Sequence, residues 1–477
     1  MFKFTAPACA GFSEDAIHNF FKEVKKRKIN FHSVLMAKGD NIFFEKYWAP
    51  FDENKPHRMY SVTKSFVAIA VGFLEQEGKI SLNDPIIKYF PDKLPEYVHP
   101  YLEKQTIRNM LMMSTCFQCD NWFRPGIYDR TKFYFAQKVN RPAGTIFDYD
   151  STGSYILGAL VERVSGMKLI DYLKEKVLNR IGGFENAEIL EVPDGVAWGD
   201  SALVCKPRGL MNFAKFVMNK GVWEGERLLN EEYLTEATKP LIDNNLEGME
   251  GTTGWGYGYQ IWMTEQNGFA FNGMGCQFAI CVPDKDFIFV CTGDNQYNSF
   301  AGRTIFRAVF DYLIPEEYNL PEEDYRLPVA FGCAHTDFEK KISGKTFVCD
   351  ENEMGMTDFR FDFDGDEGVF TYHNAQGEKA LPFGLKKNVF GKFPQLGYSD
   401  GRGNVHEITE FKYECAASAG WIEDKKLQLR VQIIDRYFGS MTATFGYLDE
   451  KTVGVRMIKN AEDFLSEYQG WTGAKSE

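Results

Sequence analysis

A serine three residues ahead of a lysine can supply a nucleophile together with its base, and Ser61-Val62-Thr63-Lys64 has that spacing. Positions three apart share one face of a helix, so hydroxyl and amine can meet. The run that follows, Phe66-Val67-Ala68-Ile69-Ala70-Val71, is apolar on all sides and predicts a buried helix over Ser61–Gln76. Burial would push the lysine toward its neutral form, the form able to take a serine proton. A serine at the start of such a helix also sits where unbonded backbone N–H groups favour negative charge. The same spacing recurs as Ser165-Gly166-Met167-Lys168, but Gly166 falls just past a predicted helix end and reads as a C-cap.

Acylation of a serine needs a second proton carrier and a site for the oxyanion. Tyr149, in Phe147-Asp148-Tyr149-Asp150-Ser151-Thr152-Gly153, precedes a predicted helix. Beside a cationic lysine its hydroxyl can be acidified enough to protonate a leaving group. The glycine-rich strand end Phe271-Asn272-Gly273-Met274-Gly275-Cys276-Gln277 allows close approach of substrate to backbone. Its Met274 amide and the Ser61 amide are the expected oxyanion donors.

These residues need a frame. Ser13 followed by Glu14-Asp15 caps a first helix that ends in Lys25-Lys26-Arg27-Lys28. His32 to Ala37 and Ile42 to Trp48 read as a hairpin. Helices are expected at Ile107 to Met113, Ser151 to Val164, Leu169 to Leu178, Leu210 to Met218 and Glu231 to Ala237. A meander follows: Tyr257 to Met263, Phe269 to Asn272, Cys276 to Val282 and Phe287 to Thr292. A helix from Ala301 to Leu313 ends this part. The order predicts an α+β domain, an antiparallel sheet flanked by helices. Three prolines and a cluster of acids at Pro315 to Pro328 mark a boundary, dividing residues 1–320 from 321–477. Beyond it, short alternating runs such as Phe359 to Phe363 and Leu427 to Ile434 predict an all-β sandwich or barrel.

Met59 to Pro91, Leu111 to Thr115, Pro142 to Gly166 and Gly254 to Pro283 resemble the class C β-lactamase and penicillin-binding-protein superfamily, including its esterase members. Ser61-x-x-Lys64 matches its first motif. Tyr149-Asp150-Ser151 matches Tyr-x-Asn, with serine in place of asparagine. Phe271-Asn272-Gly273 falls where the family has Lys-Thr-Gly or His-x-Gly. The resemblance implies a β-lactamase/transpeptidase-like fold over about two-thirds of the chain. It also implies a serine hydrolase acting through an acyl-enzyme, with Ser61, Lys64 and Tyr149 catalytic. The C-terminal part resembles the lipocalin-like barrels attached to some members. Phe271 carries neither charge nor hydroxyl to hold a substrate carboxylate, which points away from penicillins toward small esters or amides. Ser151, Phe271, Asn272, Gly273, Trp262, Trp122 and Phe123 are expected to meet the substrate in an aromatic-walled cleft that prefers neutral groups. Lys206 and Arg208 are the nearest candidate cations. Acyl transfer to another acceptor, or a non-catalytic binding protein on the same fold, are the rival readings.

Other chemistries fit poorly. The net charge of −13 argues against nucleic acid or an anionic membrane as partner. No histidine lies between His99 and His335, and no Gly-x-Ser-x-Gly occurs, which disfavours a Ser-His-Asp triad. Cys116-x-x-Cys119 stands without a second ligand pair, so no metal is expected. Asp362-Phe363-Asp364-Gly365-Asp366-Glu367 reads as a hairpin turn rather than a calcium loop. Gly254-x-Gly256-x-Gly258 precedes no helix, so no dinucleotide cofactor is implied. Ten cysteines scattered over 477 residues, without a signal peptide or an apolar run of membrane-spanning length, suggest a reduced, cytoplasmic enzyme.

Overall fold

Ser13 accepts a hydrogen bond from the Ala16 N–H at 3.0 Å and so starts α1 (Glu14–Lys26). The computed structural model describes residues 2–119, 122, 124–245, 252–316, 327–394, 412–435, 438–461 and 465–476. Helix α1 buries Ile17, Phe20 and Val24, three or four apart, against a sheet. That sheet begins with the hairpin β1 (Phe31–Lys38) and β2 (Asn41–Tyr47). It is completed by β3 (Trp262–Met263), β4 (Phe269–Gly273), β5 (Gln277–Val282) and β6 (Phe287–Gly293). The order is Lys3–Phe4, β2, β1, β6, β5, β4, β3. Strand β1 pairs antiparallel with β6, so the centre of the sheet joins its first and last parts in sequence.

Each face of the sheet has its own helices. Val34, Met36, Phe278, Ile280 and Phe289 pack with α1 and a late helix, Ala301–Ala308. On the other face, the Phe271 ring of β4 lies 5.4 Å from Phe213, which stacks on Phe66 at 3.6 Å. Phe66 belongs to α2 (Thr63–Gln76), in which every residue from Thr63 to Leu74 is buried. Helix α3 (Ser151–Ser165), started by the Asp150 side chain, crosses α2. Among the described residues no helix is long and apolar enough to cross a membrane.

The strand expected over Tyr257–Met263 shortens to Trp262–Met263. A Cβ on Gly258 would meet the Ala237 carbonyl oxygen at 2.1 Å, and Gln260 has a left-handed φ of +56°. Gln260 is 2% exposed and binds three helices. Its amide nitrogen donates to the carbonyls of Met110 (2.9 Å) and Leu111 (3.1 Å). Its amide oxygen accepts from Ser154 of α3 at 2.5 Å, and its carbonyl accepts from Ser65 of α2 at 2.8 Å.

The chain divides into two compact units, 1–98 with 105–137 and 147–319, and 99–104 with 138–146 and 320–477. The composition break at Pro315 to Pro328 gave no sign that residues 99–104 and 138–146 would cluster with the second unit. Its strands run β7 (Thr346–Cys349), β8 (Asp358–Asp364), β9 (Glu367–Asn374), β10 (Gly377–Leu385), β11 (Val389–Lys392), β12 (Glu414–Glu423), β13 (Lys426–Ile434), β14 (Phe438–Tyr447), β15 (Thr452–Asn460) and β16 (Gly470–Lys475). Nine of them close into a barrel, because Gly384 and Leu385 of β10 pair in parallel with Ser418 and Ala419 of β12. Strand β11 covers the rest of β12. The Asp362 to Glu367 stretch is the β8–β9 hairpin turn. Inside the barrel, Phe361 lies 4.8 Å from Phe445 and 5.0 Å from Phe370, so packed rings fill its centre.

Gln260→Leu should leave the Ser154 hydroxyl and the Met110 carbonyl buried without this partner. The expected cost is about 2–5 kcal/mol, read from urea unfolding midpoints.

Candidate active site

The short strand His57–Arg58 pairs with Leu203–Cys205, and the Met59 N–H donates to Leu203 at 2.8 Å. Tyr60 then takes φ +48°, a left-handed conformation that costs a bulky residue about 1–2 kcal/mol. The result is a tight 3-10 turn, Tyr60–Val62, carrying Ser61 ahead of α2 rather than on its first turn. Thr63 fixes this turn, its hydroxyl donating to the Tyr60 carbonyl at 2.6 Å and accepting from the Leu203 N–H at 3.0 Å. Strain of this kind persists only where the surroundings over-determine the geometry.

Lys64, 1% exposed, donates from Nζ to Ser61 Oγ at 2.9 Å and to the Asp200 carbonyl at 2.8 Å. The Asp200 carboxylate stands 4.0 Å away. Nζ also lies 5.2 Å from the centroid of the Tyr149 ring, which stacks on Trp262 at 5.4 Å. Ser61, Lys64 and Tyr149 therefore form one cluster. Asp200 is 2% exposed and its Oδ1 has no hydrogen-bond partner among the described residues. Burial pushes its carboxyl up to about 6, with Lys64 pulling the other way and Asp150 adding to the rise. Asp200 can come so near because Gly199 meets Gly158 of α3: a Cβ on either would lie 3.3 Å from the other's Cα.

The end of β4 abuts the same turn. A Cβ on Gly273 would meet the Met59 carbonyl oxygen at 2.3 Å and Val62 at 3.3 Å, so only glycine fits. Gln277 holds the hairpin beyond it, its Nε2 donating to the carbonyls of Met274 (3.0 Å) and Gly293 (2.7 Å). An arrangement of hydroxyl, buried amine, phenol ring and glycine-rich strand end can support transfer of an acyl group to serine.

A family model described as Beta-lactamase matches residues 18–312. The chain belongs to the β-lactamase family. It is 23% identical over 268 residues, 51% of its length, to the 6-aminohexanoate-dimer hydrolase of Paenarthrobacter ureafaciens. It spans 67% of that relative and less than half of several further curated relatives. Two solved structures share the fold. The octameric penicillin-binding protein homologue from Pyrococcus abyssi matches at TM-score 0.50 and 16% identity, over 97% of this chain and 99% of that one. A family VIII carboxylesterase matches at TM-score 0.51 and 17% identity, over 61% of this chain and 95% of that one.

Within this β-lactamase-family site several expectations need correction. Phe271 is fully buried on Phe213, because its side of β4 faces the helix Pro207–Met218, and it walls no cleft. Trp262 is 3% exposed and supports Tyr149 from behind, in a core with Met113, Phe147 and Tyr257. Trp122 is 4% exposed, 5.2 Å from the Tyr155 ring and beneath the Arg130 guanidinium. Asn272 is also buried, and Ser151 opens α3. Phe123 lies outside the described residues. The two candidate cations are engaged elsewhere, Arg208 with Glu45 at 2.6 Å and Lys206 with Glu185 at 3.9 Å. Two cations that the sequence reading did not name lie nearer: Arg58, whose guanidinium is 4.8 Å from the Tyr60 ring and 4.7 Å from Trp198, and Arg130, which acts on the Asp200 carboxyl. Asp200, Gln260 and Arg58 escaped the sequence reading. A glycine before Asp200 was the only available signal.

Gly273→Ala should lower activity at least about 100-fold, since a displacement of about 1 Å can cost that much. Circular dichroism alongside the assay checks that the fold is kept. Asp200 binds its proton more tightly folded than unfolded. Its favourable contribution is therefore complete below the ordinary carboxyl range, near pH 4, and lost as pH rises through about 6. Between pH 4 and pH 7 the wild type should lose about 2–3 kcal/mol relative to Asp200→Asn, measured by urea unfolding at both pH values.

Proposed function

We propose that this chain is a serine hydrolase that cleaves a small ester or amide through an acyl-enzyme. The observation that carries this reading is the 2.9 Å contact between Lys64 Nζ and Ser61 Oγ, with the Tyr149 ring beside the amine. With Lys64 neutral, Nζ takes the Ser61 proton as Oγ bonds to the substrate carbonyl carbon. The carbonyl oxygen becomes an oxyanion, held by the N–H groups of Ser61 and Met274. As the intermediate collapses, the bond to the leaving oxygen or nitrogen breaks and Tyr149 delivers the proton that group needs. Lys64 passes the proton it took to the Tyr149 oxygen, or Tyr149 stays deprotonated. Whichever of the two is then free as base takes a proton from water, which attacks the acyl carbon. As the acyl–Oγ bond breaks, a proton held by the pair returns to Ser61. Both ester and amide substrates agree with the names of similar proteins, a hydrolase of 6-aminohexanoate dimer and a carboxylesterase. The fully buried Phe271, where the family carries a cationic or polar group, favours a neutral substrate over a penicillin carboxylate. A cytoplasmic setting belongs to the same proposal, on the ground of cysteines too sparse for a disulfide scaffold.

Ser61→Ala should lower turnover of short acyl esters by at least about 1,000-fold and abolish labelling by a fluorophosphonate, with little change in thermal midpoint. Lys64→Ala should lose turnover comparably. Activity retained in purified Ser61→Ala protein would end the proposal. Among paired substrates, neutral esters and amides should react faster than carboxylate-bearing isosteres and than penicillins. A preference for the anionic member that Arg58→Ala removes would instead make this a carboxylate-reading hydrolase.

A further inference from the structure

A cleft of about 860 Å³ opens between the C-terminal half of α1 and the β1–β2 hairpin. None of Ser61, Lys64, Tyr149 and Asp200 lines it. Its floor is aromatic: Phe21 lies 5.1 Å from Phe44 and 6.1 Å from Trp48, and Trp48 is 6.2 Å from Phe31. Phe51, stacked on His32 at 3.8 Å, closes one end. The rim carries Lys25, Lys28 and Lys46, all exposed. No aspartate or glutamate lines the cleft, in a chain whose net charge is −13. Lys46 sits 5.4 Å from the Trp48 ring centroid, and none of the three ammoniums has a carboxylate within ion-pair distance among the described residues.

An apolar floor under a rim whose charged side chains are all lysines is complementary to an apolar chain ending in one negative charge. We propose that this cleft binds a medium-chain fatty carboxylate, its chain on the rings and its carboxylate among Lys25, Lys28 and Lys46. Three dispersed, solvent-facing ammoniums match a singly charged head. They offer none of the forked, buried donors that distinguish phosphate sites. The volume lies within the range of small-molecule pockets, about 300–1,000 Å³. The assignment is independent of the proposed hydrolysis.

Calorimetric titration of the full chain with decanoate tests it, using decanol as neutral isostere and octanoate as shorter homologue. Decanoate should bind one to one, at least tenfold tighter than decanol. Two fewer methylenes should weaken binding by about tenfold. The triple variant Lys25→Glu, Lys28→Glu, Lys46→Glu should lose at least tenfold, whereas Ser61→Ala should bind like the wild type. Absent binding at millimolar decanoate, or binding that the triple variant leaves unchanged, would overturn the assignment. So would binding that a fluorophosphonate on Ser61 abolishes, which would put the carboxylate at the catalytic site. Two further results would assign the cleft to another occupant and equally overturn it. One is capture of phosphatidylserine vesicles, lost in the triple variant, without decanoate binding. The other is a dimer that the triple variant dissociates.

Discussion

A lysine with 1% of its surface exposed must have its charge or its lone pair answered by neighbours, because burying an unanswered ammonium is among the costliest events in folding. For Lys64 the neighbours are the Ser61 hydroxyl, the Asp200 carbonyl and carboxylate, and the face of Tyr149. Each comes from a different stretch of chain, and much of the first unit serves to hold these stretches in place. The Gly158–Gly199 contact lets the Asp200 loop approach α3 closely. Gln260 ties α2 and α3 to the loop ahead of β3, and the Gly273–Met59 contact seats β4 against the turn that carries Ser61. Trp262 gives Tyr149 a rigid backing. Moving any one of these would alter the amine's surroundings as well as local packing.

Legibility in the sequence followed the range of the interaction. The Ser61/Lys64 pair is local, and the all-apolar run after it could only be a buried helix, so both were readable. The β1–β2 hairpin and the late meander were readable from alternation and turn residues. What failed was what only tertiary contacts decide. Phe271 could be placed on a strand, but which face of the sheet that strand gives to the Phe213 helix is not written locally. Asp200 matters only through a loop that crosses a helix. The expected strand at Tyr257 breaks where Gly258 and Gln260 serve other elements instead of a neighbouring strand.

The second unit shows the same division. Alternating runs at Phe359 to Phe363 and Leu427 to Ile434 announced β8 and β13. Strand β12 did not, because Ala416, Ala417 and Ala419 favour helix intrinsically. In the barrel those small side chains fit: Ala417 and Ala419 belong to the core that the rings of Phe361, Phe370 and Phe445 fill. Strand β10 was hidden by Pro382 and Gly384. Pro382 is tolerated because it faces β9 in register while β12 joins only at Gly384 and Leu385. Aromatic rings thus pack the centre of this barrel.

The pairing of β1 with β6 has a consequence for how the protein is made. On a ribosome adding about 5–20 residues per second, the β1–β2 hairpin emerges on the order of ten to fifty seconds before Phe287–Gly293 can join it. Throughout that interval β1 is an edge strand with an apolar face and an open row of backbone donors and acceptors, the kind of surface that recruits other chains. The glycine-rich end of β4 is likewise synthesised long after Ser61. Nascent chains thus carry Ser61 and α2 well before they carry the strand that completes their surroundings, and helper proteins that shield exposed edges would find their target in this window.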